Sequence, residues 1–482
     1  MKRIYHKIAL AVMILLVGAT ACKKSFLETI PAGKIVAQTT SDYDLLLSSS
    51  PLLQIGNANA QVFMGDEVAA VDPYFTASPL KNQASFRWDP DLYLAVDNAG
   101  EMTSTMQNIY QYNKIINEVP NSSGGSDNQK LEVAAEAMAG RAWIYFLLIN
   151  YYGKPYNPTT AATDPGFPII TAADVTTTQF TRATVQQVYD FIVKDLTTAI
   201  PNLPSQITFR TRMSKAAAEA TLGKVYMFMG RYTDALTQFN AAFTDMASPA
   251  TPVRLYDYNV EFATGGVFLP LSTSSGPTYP NLPNNIEILY AKQINLSNTN
   301  ELVITPQTSA LFGSTDLRLK LFSNTLSFST TTYSVPVTGL LRRWAPSFNA
   351  PIGFQVPELY LLRAEAKCRT NDLSGAKTDV EALRVKRMPA ADAPVPAAVA
   401  SQQLPLLKFI LDERTREFAM QGFRWFDMRR LSVDPLFSST TYSHTLYSAT
   451  GSTTTFQLKP ERFTLRFPQS VLDQNPGVSN NP

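Results

Sequence analysis

The chain has 482 residues, 45% hydrophobic and 17% charged, an ordinary globular composition with enough apolar material for one large core or two to three domains. Its formal charge of +2 includes Lys2, Arg3 and Lys7; without residues 1–21, 38 basic side chains face 39 acidic ones, which excludes a nucleic-acid reading. The only cysteines are Cys22 and Cys368 and the only histidines His6 and His444, which excludes a disulfide framework, a multi-His metal site and an HExxH arrangement, so no metal or cofactor is expected.

Lys2, Arg3 and Lys7 precede an apolar run from Ile8 to Val17 and the small-residue box Gly18-Ala-Thr-Ala-Cys22, an order that reads as a secretory signal over 1–21. The run is too short to span a bilayer. Small residues ending in a cysteine resemble a bacterial lipoprotein cleavage box, in which the thiol is acylated and becomes the mature N-terminus, although Ala19 stands where Leu is commoner. Cys22 is therefore the expected lipidation site, and multiple acyl chains would tether the protein to a membrane without spanning it. A plain signal with an incidental Cys22 is the other reading.

Helices are expected over Tyr43–Leu53, Thr103–Val119, Leu131–Tyr152 and Thr184–Ile200, with Asn202-Leu-Pro204 closing that unit. Residues 62–98 are punctuated by proline, and Phe63, Tyr74, Phe75, Phe86, Trp88 and Tyr93 fall on no helical period, which predicts a loop-built segment. Ser214 can cap the next helix. From Ala220, the residues Leu222-Gly223, Tyr226, Gly230, Tyr232, Ala235 and Phe239 match the tetratricopeptide pattern of small contacts and large fillers between paired helices. A looser copy follows at 359–384, where Leu361, Ala364, Glu365 and Cys368 recur at helical spacing, Asn371-Asp372 breaks the run, and Ala376, Val380 and Leu383 resume it.

Between the copies, 256–357 is rich in Pro, Ser, Thr and Asn, with strand-like pieces at Glu287–Tyr290 and Leu302–Thr305. Leu406, Leu407, Ile410 and Leu411 then form an apolar stripe whose next members are Arg414 and Phe418. A guanidinium on a buried face requires a bonded carboxylate, and Glu417 and Asp427 are the candidates. The helix is expected to run through the Asp412–Arg430 stretch. Ser438–Thr455 reads as loop or hairpin and Phe463–Phe467 as an edge strand. The whole describes an all-α, tetratricopeptide-like scaffold at about 103–243 and 356–431, with long irregular insertions at about 62–98 and 256–357, minor β structure, and a single domain over 22–482.

The order Glu413-Arg414, Glu417-Phe418, Gly422, Arg424-Trp425-Phe426-Asp427 and Arg430 resembles the C-terminal signature of the SusD/RagB family of outer-membrane nutrient-binding lipoproteins. The resemblance extends along the chain: Cys22 followed by Phe26-Leu27-Glu28 and Pro31, the helix at Tyr110–Asn117, Arg141-Ala-Trp143 with Tyr145-Phe146 and Tyr152-Gly153, Asp316-Leu-Arg318 followed by Trp344, and the closing Pro468-Gln469 to Gly477. Gln421 and Phe423 depart from it, as do Lys23-Lys24 where surface-exported lipoproteins carry acids. The resemblance implies a non-enzymatic, lipid-anchored outer-membrane protein at the cell surface. Such a protein captures glycans or peptides for a SusC-like TonB-dependent transporter.

Sequence motifs for catalysis are missing: there is no P-loop, dinucleotide fingerprint, GxSxG elbow or paired CxxC. A Ser-His or Cys-His mechanism in the mature chain would have to use His444; Cys368, on an apolar helical stripe, reads as a buried inert thiol. Trp143 and Trp425 read as core. Trp88 and Trp344 lie in insertion-type sequence, where an aromatic ring can stack on the apolar face of a sugar while amides and acids bond its hydroxyls. Asp66, Tyr74, Phe75, Trp88 and Trp344 are accordingly the expected ligand contacts, and Arg414, Glu417, Gly422, Arg424, Trp425 and Asp427 the structural signature. Two rival classes share parts of this pattern: a periplasmic tetratricopeptide adaptor that binds protein on its helices, and a surface glycoside hydrolase with a carboxylate pair.

Overall fold

The computed structural model describes residues 37–482 apart from 96, 98, 177–178, 248–249, 273–275, 297–300, 329–330 and 346–348. The expected signal, His6, Cys22 and the segment that follows it lie outside the described residues. Among the described residues, no helix is long and apolar enough to cross a membrane.

Long helices form where the apolar spacing predicted them, and their starts are written in short polar side chains. Helices α1 (Gly100–Glu118) and α2 (Asp127–Tyr152) are followed by α3 (Val185–Ala199). Ser126 with Gln129, and Thr184 with Gln187, close reciprocal capping boxes at α2 and α3 that satisfy amides left bare by the first turn. Helix α4 (Lys215–Phe228) is capped by Ser214, whose hydroxyl accepts from the Ala217 amide, and returns as α5 (Tyr232–Asp245). A Cβ at Gly223 would run into the Phe239 ring, so the glycine is what lets α4 and α5 touch and the phenylalanine fills the gap.

The second copy, α6 (Val356–Arg369) and α7 (Leu373–Arg384), packs directly on the first through α5 and α6. The intervening chain is thus looped out of a continuous stack of helices, which α8 (Gln403–Phe418) closes against α6. One main hydrophobic cluster runs through these elements.

Four strands gather into one sheet: β1 (Val68–Val71), β2 (Leu302–Ile304), β3 (Ser443–Tyr447) and β4 (Thr453–Gln457), in the order β4-β3-β1-β2. β1 runs parallel to β3, with Ala70 opposite Leu446, and antiparallel to β2, with Ala69 opposite Val303. The expected strand at 287–290 is found over Ile288–Tyr290, paired with Phe354–Gln355.

Several expectations are corrected. The helix expected over 43–53 is two, Thr40–Leu46 and Ser50–Leu53, because Pro51 has no amide to continue the ladder. Residues 62–98 are not simply loop: short helices at Ala60–Met64, Tyr74–Ala77 and Leu80–Arg87 flank β1, too brief for any period to show. Residues 464–467 form no strand; Leu465 instead donates one backbone bond to the Tyr151 carbonyl at 2.8 Å. The signature stretch breaks after Phe418 and resumes as α9 (Phe423–Leu431).

Lys292 is buried with no carboxylate partner among the described residues. Its ammonium donates to the Leu52 carbonyl and the Tyr112 hydroxyl and lies 4.9 Å from the Tyr290 ring centroid. Burial pulls its pKa down to about 7. The unfolded chain therefore binds the proton more tightly, and stability is expected to rise as pH climbs from about 7 towards the ordinary lysine value. Comparing melting temperatures at pH 7 and pH 9.5 checks this: Lys292→Met should lose that part of the rise, and an identical pH dependence in the two proteins would refute it.

Candidate binding site

The region around the signature is built on buried charge. Arg414 falls on the apolar face of α8 as its spacing demands, with only 2% of its side chain exposed, and its Nε donates to Asp427 Oδ2 at 2.9 Å and its Nη2 to Oδ1 at 3.3 Å. Glu417, the other candidate partner, accepts instead from Arg318 Nη1 at 2.9 Å and Arg387 Nη2 at 2.7 Å. Arg430 donates to Asp427 at 2.8 Å and clasps Glu365 of α6 through contacts of 2.6 and 2.7 Å. Burial alone would raise the Asp427 pKa, but the Arg414 and Arg430 guanidinium groups hold it well below the usual carboxylate range. The network ties the Asp316-Leu-Arg318 step of the insertion to α6, α8 and α9.

Gly422 makes the turn into α9 at φ 84°, where a Cβ would strike the Gln61 side chain. Trp425 is fully buried, as expected, and stacks on Phe463 with centroids 5.8 Å apart.

The expected ligand contacts fare differently. Asp66 is partly exposed and pairs with Arg424, Nε to Oδ1 at 2.5 Å, so a residue expected in the site meets one expected in the scaffold. Trp88 is a correction. It is 3% exposed, holds a left-handed φ of 54° at the end of its helix, donates from Nε1 to the Met64 carbonyl at 3.1 Å and stacks on His444 at 3.8 Å. Phe86 covers His444 at 4.4 Å, and Phe75, also 3% exposed, meets Phe86 edge-on. These rings form a packed stack under the β3–β4 hairpin and leave no open platform for a sugar. Tyr74 is half-buried against the small cluster of Ala69, Val71, Val303 and Leu340. Trp344 sits apart from that stack, its backbone amide bonded to the Leu321 carbonyl at 2.8 Å and its ring against Gly276.

Nucleophilic chemistry finds little support. His444 has both ring nitrogens at backbone carbonyls, Nδ1 at 2.6 Å from Phe86 O and Nε2 at 2.7 Å from Gly65 O, and burial lowers its pKa to about 4. The neutral imidazole donates to one of these carbonyls, and the other stands against the second nitrogen, where a substrate proton would have to arrive. Cys368 is fully buried, and burial pushes its thiol up to about 12.

An open cleft of about 560 Å³ lies beside the signature helix, within the usual range of ligand pockets. The chain leaving α2 forms one wall at Lys154 and Pro155, the turn after α9 a second at Ser432 and Val433, and the segments flanking the hairpin a third, at 438–442 and at Leu458, Pro460, Glu461, Phe463 and Thr464, with Pro482 beside them. Tyr442 braces the Phe463 ring edge-on at 6.1 Å. A second hollow of about 400 Å³ is lined by Thr40, Asp44, Gln129 and Glu136 among others, and Arg212 bonds two of these residues, Asp44 at 2.6 Å and Glu136 at 2.7 Å. Sequence reasoning pointed to neither hollow; the only signal was the Ser/Thr run at 438–441.

Two family models match the chain: a SusD-like model described as starch-binding and associating with the outer membrane, over residues 71–227, and the SusD family model over residues 355–482. Solved structures agree in fold. A SusD superfamily protein of Bacteroides thetaiotaomicron aligns at a TM-score of 0.69 with 20% identity, covering 92% of this chain and 100% of that one. A SusD superfamily protein of Bacteroides vulgatus gives 0.67 at 20% identity, covering 92% and 99%. A SusD-like carbohydrate binding protein of Bacteroides vulgatus gives 0.64 at 15% identity, covering 92% and 97%. No curated protein matches. The helical stack with its looped-out insertions defines a SusD-type, tetratricopeptide-like scaffold. The chain belongs to the SusD/RagB family.

Proposed function

We propose that the protein is a non-catalytic binding lipoprotein of the outer membrane, anchored through Cys22, that captures oligosaccharides at the cell surface and delivers them to a SusC-like TonB-dependent transporter. Membership of a family whose matching model is described as starch-binding and outer-membrane-associated carries this reading. The engaged nitrogens of His444 and the buried thiol of Cys368 favour binding over nucleophilic catalysis. Titrating the purified protein with a panel of oligosaccharides and peptides, followed by product analysis, tests it. Binding without turnover of a glycan supports the proposal, and released product would make the protein a hydrolase. Retention of peptides alone would change the cargo. Cys22→Ser is expected to move the protein from the membrane to the soluble fraction. A variant that stays with the membrane, combined with no acyl label on the wild type, would rule out the anchor.

A further inference from the structure

We propose that the cleft between Lys154, Ser439, Tyr442 and Phe463 holds the end of an uncharged oligosaccharide, with one sugar ring stacked on Phe463. This rests on the glycan-binding reading above and adds a place and a ligand class to it. The lining is mostly apolar, and its one half-exposed ring is Phe463. That ring is held from beneath by Trp425, 5.8 Å between centroids and 25° between planes, and from the side by Tyr442 at 90°. A ring fixed on two sides loses little freedom when a ligand stacks on it, which is what pre-organised recognition requires.

In the same lining, residues 438–441 read Ser-Ser-Thr-Thr, all exposed. Ser438, Ser439 and Thr441 spend their hydroxyls on no bond among the described residues. Hydroxyls both donate and accept, so a row of them matches the hydroxyls of a sugar, which do the same.

Charge narrows the ligand class. Among the side chains that line the cleft, one is cationic and one anionic, Lys154 and Glu461. Lys154 is paired with Asp164 at 2.6 Å, so an acidic glycan would have to compete with that carboxylate and would also face the Glu461 carboxylate. A peptide captured in extended form needs an unpaired strand edge for its backbone. Residues 438–442 lie before β3 begins, and the outer strand β4 ends at Gln457, outside the lining.

Calorimetric titration tests the assignment with four neutral hexasaccharides (α-1,4-glucan, β-1,4-glucan, β-1,4-xylan and β-1,4-mannan), hexagalacturonate and an uncharged heptapeptide. Phe463→Leu keeps the apolar volume and removes the ring face, so the affinity for the bound neutral sugar should fall by about tenfold. Ser439→Trp, in an exposed turn, should fill the cleft and abolish binding while its thermal melt stays that of the wild type. If both variants bind a neutral hexasaccharide as tightly as the wild type, the cleft is not the site, although the protein remains a glycan binder. Binding of hexagalacturonate alone overturns the uncharged class. Binding of the heptapeptide alone overturns both this assignment and the glycan reading beneath it.

Discussion

Arg414→Ala is expected to destabilise the protein by roughly 3 to 5 kcal/mol, the cost of removing one partner from a buried ion pair. The guanidinium lies on the apolar stripe of α8, and its loss leaves Asp427 with Arg430 alone, in surroundings where burial by itself favours the neutral acid. It also withdraws positive charge from Glu358, 3.7 Å away, which keeps Lys224 at 2.8 Å. Because Asp427 joins α8 to α9 and Arg430 joins α9 to α6, the defect should be felt as a loss of cooperative melting across the scaffold. Thermal or urea unfolding measures it. An unchanged transition with lost ligand binding would move Arg414 from the scaffold to the site.

Trp88→Ala should cost roughly 3 to 5 kcal/mol, as for other buried aromatics, and leave ligand affinity intact in whatever protein remains folded. The indole is the outer layer of the stack Trp88, His444, Phe86, and its Nε1 satisfies the Met64 carbonyl. Truncation opens a cavity, bares that carbonyl and loosens the β3–β4 hairpin that carries His444. This reverses the expectation from sequence, which placed Trp88 at the ligand. Melting curves and titrations on the same variant decide it: native stability with weakened sugar binding would restore the ring to the site.

The difference between these residues shows what kind of information a sequence carries. Arg414 was legible because its surroundings are local: a helix repeats every 3.6 residues, so the stripe from Leu406 to Phe418 states which face is buried and which guanidinium must find a carboxylate. The choice between Glu417 and Asp427 was not local. Glu417 is claimed by Arg318 and Arg387, from insertion and linker far along the chain, and only their arrival leaves Asp427 for Arg414. Trp88 misled for the same reason. It ends a helix of eight residues with no readable period, and the ring that stacks on it comes from His444 on a distant strand.

By itself the sequence determined the helical scaffold, the cap at Ser214, the Gly223–Phe239 contact between paired helices, and the family, because each is written in spacings of a few residues. Tertiary structure alone decided that β1, β2 and β3 form one sheet, that the two helix pairs pack directly on each other, and where a cleft lies. Each of these brings together segments separated by hundreds of residues. Strand pieces of three to five residues specify no partner until the rest of the chain has folded around them.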